Sequence, residues 1–245
     1  MEMERAGAIW DCMTLASRAS APPRTVLPDP INAVIFDMDG TLLDTEAAHR
    51  QAFRDTGAAI GWPMSEALLL SMVGIHRDEN ERMLARAMGP DFPLDRFYAD
   101  SDALFEAAVD AGIDLRPGAE LVLEHLAHAG IPMALATSTA APYAQQRLER
   151  AGLARYFDVV VTRSDVERPK PHPQPYLLAA RRLGADPAHC VAVEDSHAGV
   201  RSAAAAGMAT VMVPDLLPPT DELTLACAAV LPSLTDLRDL LMATS

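Results

Sequence analysis

Asp37 and Asp39, separated by one residue, stand directly after the apolar run Ala33-Val34-Ile35-Phe36, and Gly40 and Thr41 follow them. Three more polar groups come after short apolar runs. Thr137 and Ser138 follow Met133-Ala134-Leu135-Ala136, Arg168-Pro169-Lys170-Pro171 lies a loop beyond Val159-Val160-Val161, and Glu194-Asp195-Ser196 follows Cys190-Val191-Ala192-Val193. In an open parallel sheet, ligands bind at the carboxyl ends of the strands, so groups placed there converge. Asp37, Asp39, Glu194 and Asp195 would then surround one ammonium, that of Lys170. Such a cluster repels itself unless a divalent cation sits in it, and hard oxygen ligands suit Mg²⁺. Once cation and lysine neutralise a phosphoryl group, one carboxylate can attack phosphorus and a second can protonate the departing alkoxide. On an extended segment Asp37 and Asp39 share one face, and Gly40 lets the backbone turn away after them. Thr137 supplies a hydroxyl for the phosphoryl oxygens.

Lys170 is the only lysine among 20 basic residues. A compact ammonium does what a guanidinium fork cannot, which singles this lysine out in an arginine-rich chain.

The apolar runs are short, rich in small or β-branched residues and without alternation, as strands buried on both faces of a parallel sheet are. A fifth run of the same kind is Ala209–Val213. Helical stretches lie between them at 118–129, 142–151, 174–183 and 197–206, punctuated by Pro117, Pro142, Gly130, Gly152, Gly184 and Gly207. Strand and helix in alternation predict an α/β fold, a doubly wound parallel sheet with a Rossmann-like core. The gap from Phe36 to Met133 is far longer than a simple crossover needs. Its residues show three- and four-residue apolar steps, as in Met83, Leu84 and Ala87. The expectation is a helical cap over 46–114, inserted into a core of 31–45 and 115–245, behind an irregular tail at 1–30.

The chain has 245 residues and a formal net charge of −14. Folding at this size buries about 70% of the extended-chain surface, enough for a core without staples. The acidic balance argues against nucleic acid or an anionic membrane as partner, and no apolar run is long enough to span a bilayer. The 3 cysteines form no CxxC pair, which fits neither a zinc site nor a disulfide framework and suggests a reducing cytoplasm. An EF-hand is excluded by Thr41 and Leu42, which stand where its loop needs a ligand and a glycine.

The ordered set Asp37-Met38-Asp39-Gly40-Thr41, Thr137, Lys170 and Glu194-Asp195-Ser196 resembles the four motifs of the haloacid dehalogenase superfamily. The likeness runs over about residues 31–235 and is greatest to its β-phosphoglucomutase and phosphoglycolate-phosphatase branch. It implies a Mg²⁺-dependent phosphatase acting on a small phosphorylated metabolite, such as a sugar phosphate. On that resemblance Asp37 is the nucleophile that becomes an aspartyl phosphate. Asp39 is the general acid and base, with its backbone carbonyl on the metal. Asp195 is the metal carboxylate, with Glu194 beside it as ligand or support. Thr137, with Ser138, and Lys170 hold the phosphate, and the Lys170–Pro171 peptide is cis. In the cap, His49, Gly74 and Arg77 match the hinge and substrate loop, where Arg77 either holds a second anionic group or pairs with Asp78 or Glu81. The mutase branch also uses a cap lysine that this sequence lacks. A phosphomutase is therefore the alternative reading, and a dehalogenase, lacking the second aspartate, is disfavoured. A non-enzymatic phospho-accepting signalling domain would be shorter and would need no cap. Oligomeric state is left open by the sequence, with a monomer sufficient.

Overall fold

The computed structural model describes residues 27–72 and 77–243. The expectations for most of the tail at 1–30 and for Gly74 lie outside them.

Six parallel strands form one sheet: β1 (Ala33–Phe36), β2 (Met133–Ala136), β3 (Val159–Val161), β4 (Cys190–Glu194), β5 (Ala209–Met212) and β6 (Ala229–Val230), in the order β3-β2-β1-β4-β5-β6. The α/β doubly wound sheet read from the sequence is the fold of the chain. Strands β1, β2 and β4 are buried along their whole length, which is why their sequences run apolar without a break. Side chains of β1 alternate between two cores. Val34 and Phe36 pack with α5 (Ala119–His128) and α10 (Leu234–Ala243). Ala33 and Ile35 pack on the other face with α7 (Gln174–Leu183) and α8 (His197–Ala205). A core aromatic such as Phe36 is worth about 3–5 kcal/mol against alanine.

The chain leaves β1 toward β2 and β3 on one side and later crosses to β4 and β5 on the other. The order therefore reverses beside β1, and the carboxyl ends of β1, β2 and β4 open around that switch point. Sequence analysis missed β6, whose two residues carry no periodicity, and also α9 (Asp221–Ala226) and α10.

Between β1 and β2 run α1 (Thr45–Ala59), α2 (Glu66–Ser71), α3 (Arg77–Met88) and α4 (Leu94–Ala111). They have apolar clusters of their own. Met72, Leu84, Phe92, Phe97 and Tyr98 form one, and Ala52, Phe105 and Val109 join α1 to α4 in another. The two connections to the sheet lie side by side. Leu43 bridges Leu115 in antiparallel fashion, Asp44 N–H donates to Asp114 C=O at 2.9 Å, and Arg116 N–H donates to Leu42 C=O at 2.9 Å. No described helix is long and apolar enough to cross a membrane.

Candidate active site

Asp37 leaves β1 with its N–H bonded to Val193 C=O of β4 at 2.9 Å, which brings the ends of the two strands together. Its Oδ1 accepts from Lys170 Nζ at 2.5 Å, and the same ammonium donates to Glu194 Oε1 at 2.6 Å. Lys170 reaches this point from a loop whose Lys170–Pro171 peptide is cis. The loop is pinned from both sides: Arg168 N–H donates to Gln174 Oε1, and Ser202 Oγ of α8 donates to His172 C=O. Tyr176 of α7 lies under the ammonium, 5.2 Å from ring centroid to Nζ, and its hydroxyl donates to Glu194 Oε1 at 2.7 Å.

Glu194 Oε2 accepts from the N–H groups of Asp195 and Ser196 and from Ser196 Oγ. Ser196 caps α8 by accepting from Gly199 N–H. The carboxylate thus lies against the positive end of that helix. Gly199 is what lets it lie there, because a Cβ on that residue would fall 1.8 Å from Glu194 Oε1. Asp195 Oδ1 accepts from Thr41 Oγ1 at 2.8 Å. Gly40 has φ +85°, and a Cβ there would fall 2.4 Å from Asp195 Oδ2. Both glycines are therefore fixed by the carboxylates they touch, and Gly40 also by its turn.

Carboxylate oxygens of Asp37, Glu194 and Asp195 lie within 4.8 Å of one another. The three carboxylates are buried, and one ammonium stands against them. Burial first, and then the neighbouring carboxylates, push Asp195 well above the ordinary range. Burial likewise pushes Asp37 up, against the opposite pull of Lys170. Lys170 itself is raised by Asp37 and Glu194 over the opposing effect of its burial, and it stays charged. A hard divalent cation fits this donor set, since it would relieve the excess negative charge through oxygens alone. Glu194 already has protein donors on both oxygens, whereas Asp37 Oδ2 and Asp195 Oδ2 have none among the described residues.

The structure holds Asp39 by a different set of groups. Its Oδ1 accepts from Arg147 Nη1 at 2.9 Å; its Oδ2 accepts from Thr139 Oγ1 at 2.6 Å and from Thr137 Oγ1 at 3.3 Å. Arg147 belongs to α6 (Ala141–Arg150) and is buried. Ser138 is exposed and makes no hydrogen bond among the described residues. Sequence analysis did not single out Arg147, Thr139, Tyr176 or Gly199. Of these only Gly199, a glycine in the first turn of a helix just after an acidic motif, left a readable signal.

Above the sheet, Glu46, His49, Asn80, Arg77, Tyr98 and Asp102 line a cavity of about 290 Å³. Glu46 also lines a smaller one of about 100 Å³ with Asp39, Asp195 and Asp215, so it stands where the insertion faces the carboxylates. His49 stacks on Phe105, centroids 3.5 Å apart and planes 8° from parallel. Burial lowers its pKa to about 4, so the ring is neutral at physiological pH. Arg77 pairs with Asp102 at 3.1 Å and with Glu81 at 3.4 Å, and lies 4.1 Å from the Tyr98 ring centroid. A larger groove of about 430 Å³ runs along α7 between Arg168 and Arg182, but none of the motif residues lines it.

Burial, then Asp215 and Asp39, raise Glu46 to about 7. In the unfolded chain it ionises near the ordinary glutamate value of 4.5, so between those two points the unfolded state releases its proton first. Stability contributed by this group therefore declines as pH rises from about 4.5 to about 7. Glu46→Gln is expected to flatten that slope in melting temperature against pH. An unaltered slope would show that Glu46 ionises normally.

The family model for haloacid dehalogenase-like hydrolases matches residues 31–207, and the chain belongs to that family. Among curated relatives it is 36% identical over 178 residues to the phosphorylated carbohydrates phosphatase of Thermotoga maritima, covering 73% of this chain and 82% of the relative. It is 39% identical over 181 residues to hexitol phosphatase A of Escherichia coli, covering 73% and 81%. Among solved structures it resembles a putative beta-phosphoglucomutase from Thermotoga maritima, with a TM-score of 0.76, 33% identity and coverage of 86% of this chain and 99% of that one.

Proposed function

We propose that the chain is a Mg²⁺-dependent phosphatase of small phosphorylated carbohydrates, working through an aspartyl phosphate on Asp37. The observation that carries this reading is the Asp37 carboxylate, buried against Lys170 in one cluster with Glu194 and Asp195. The names of the relatives, phosphatases of phosphorylated carbohydrates and hexitols, give the substrate class.

Asp37 and Asp195 would hold the metal, with the Asp39 backbone carbonyl, and Glu194 would support them by fixing Lys170. Bound there, Mg²⁺ supplies positive charge for the phosphoryl oxygens. Lys170 adds to that charge from its contact with Asp37 Oδ1. One Asp37 oxygen would face the metal; the other attacks phosphorus, the ester P–O bond breaks, and Asp39 gives a proton to the departing sugar oxygen. Asp39 then takes a proton from water, the water oxygen attacks phosphorus, and the P–O bond to Asp37 breaks. Thr137 positions the Asp39 side of the site. The helices over 46–114 act as a cap whose closure excludes bulk water.

Hydrolysis is favoured over phosphomutase chemistry by the state of Arg77. A mutase must hold a bisphosphate by its far phosphate. Arg77 is already engaged by Asp102 and Glu81, and residues 46–114 contain no lysine. His49, Asn80 and the carboxylates around Arg77 suit sugar hydroxyls instead. The test supplies a panel of hexose and hexitol monophosphates, and separately β-glucose 1-phosphate with a trace of glucose 1,6-bisphosphate. Inorganic phosphate is expected from the panel. Stoichiometric glucose 6-phosphate with little free phosphate would establish the mutase instead.

Excess EDTA is expected to stop phosphate release, and saturating Mg²⁺ to raise the melting temperature. A ligand at a hundred times its dissociation constant adds about 2.7 kcal/mol. Full turnover in EDTA would remove the metal from the mechanism.

A further inference from the structure

The proposed mechanism requires Asp39 to exchange protons at the leaving oxygen, yet both its carboxylate oxygens are engaged. The charged donor among the three is Arg147, and such a bond is roughly twice as strong as one from a neutral hydroxyl. Arg147 is rooted in α6 of the core, but its other arm leaves the core. Nη2 reaches Glu106 Oε1 of α4 at 3.4 Å, and the guanidinium carbon lies 5.0 Å from the Phe105 ring centroid. His49 of α1 lies parallel on that same ring and lines the 290 Å³ cavity. An unbroken chain of contacts thus runs from the cavity through His49, Phe105 and Arg147 to Asp39. Phe105 and Glu106 are consecutive, so any shift of α4 moves both of its contacts on Arg147 together.

We infer that Arg147 is a positioning residue that withholds Asp39 until a carbohydrate body fills the cavity above it. It thereby selects sugar and sugar-alcohol phosphates over phosphate esters with no body to bind. The inference rests on Asp39 as the acid and base of the proposed hydrolysis. When the cavity is empty, α4 keeps Phe105 and Glu106 on the guanidinium, and the guanidinium keeps Asp39. Hydroxyls pressing on His49 displace the stacked pair and loosen that grip. Thr137 and Thr139, neutral donors, then let the carboxylate turn toward the leaving oxygen.

The experiment compares kcat and KM for the best sugar phosphate of the panel with those for ethyl phosphate, whose leaving group is also a primary alkoxide. Arg147→Gln frees Asp39 whether or not the cavity is filled. It is expected to raise kcat on ethyl phosphate relative to the sugar phosphate and to shrink the discrimination about tenfold, in the range of ordinary coupling between sites. Glu106→Gln leaves the Arg147–Asp39 and Arg147–Phe105 contacts in place but removes the charged tie to α4. It is expected to lower kcat on the sugar phosphate, with ethyl phosphate little affected and KM values nearly unchanged. The Glu106 carboxylate is partly exposed, so this variant keeps the test open if Arg147→Gln fails to fold. Proportional losses on both substrates in the two variants would reduce Arg147 to a structural role and overturn the inference. Absence of turnover by the wild-type protein on every ester would be seen first, and would remove the hydrolase reading and this inference together.

Discussion

Asp37→Asn is expected to fold, and to release phosphate more slowly by about 10⁴–10⁶-fold, the scale on which losing a nucleophile acts. The side chains are nearly the same shape, so the packing around β1 is kept. An amide oxygen cannot attack phosphorus to leave a stable acyl phosphate, so no phosphoryl adduct should appear in the intact mass after mixing with substrate. The same change takes one carboxylate out of a buried group of three. Without divalent ions the variant should therefore melt no lower than the parent, while the gain in melting temperature on adding Mg²⁺ should shrink. These two readouts separate the loss of a nucleophile from the loss of a fold. Phosphate release within tenfold of the parent would show that another group makes the bond to phosphorus.

Lys170→Met should fail in the opposite way, through stability as well as rate. The ammonium lies between Asp37 and Glu194 with its side chain only 5% exposed. Removing one partner of a buried ion pair costs about 3–5 kcal/mol, because the other charge is left without compensation. Here two carboxylates would be left facing each other. The pH dependence has a definite sign. Lys170 has its folded pKa raised by its two partners, so its contribution is complete at neutral pH and is lost only in strongly alkaline solution. The variant's deficit should thus be largest above the value of about 8 to which burial pushes Asp37. It should fade as falling pH protonates the stranded Asp37, a trend that denaturant titrations at several pH values would show. Turnover should fall at least about 10²–10³-fold, as when one preorganised donor is lost from a charged site. Lys170→Arg is not expected to rescue either property. Nζ sits 2.5 and 2.6 Å from two oxygens and over the Tyr176 ring, a slot shaped for a point charge and too short for a planar fork. Stability at pH 9 equal to the parent's would show that the Lys170 ammonium does not compensate a buried carboxylate there.

Much of this site is legible in the chain because its pieces are local. Ala33–Phe36 can be recognised as a buried strand from four residues, and Asp37 and Asp39 hang from its end at fixed spacing. Thr137, Lys170 and Glu194-Asp195 are attached to strands in the same way, so sheet topology brings them together. Arg147 is attached to Asp39 by nothing local: 108 residues separate them, and on its helix it is one arginine beside Arg150 in an amphipathic stretch. Thr139 was masked by its neighbours Thr137 and Ser138, since a turn offers each hydroxyl in a different direction. Tyr176 gave no signal, because its role depends on α7 passing under the Lys170 loop. The insertion shows the same division. Its apolar steps announced helices, but which faces of α1 and α4 would stack His49 on Phe105 depends on their mutual packing.

The paired crossing at Leu43 and Leu115 has a consequence for how such a protein can change over generations. Residues paired across antiparallel strands have Cα atoms only about 4.5–5.5 Å apart, so the sheet sees the whole stretch between them as a single closed loop. Closure entropy grows slowly with length, by about 0.6 kcal/mol per doubling. A lineage can therefore lengthen, shorten or exchange that stretch without altering the register of the strands that carry Asp37, Lys170 and Asp195. Under the proposed function, the residues that break the bond and the part that meets the rest of the substrate are inherited on one gene, yet they can be tuned almost independently.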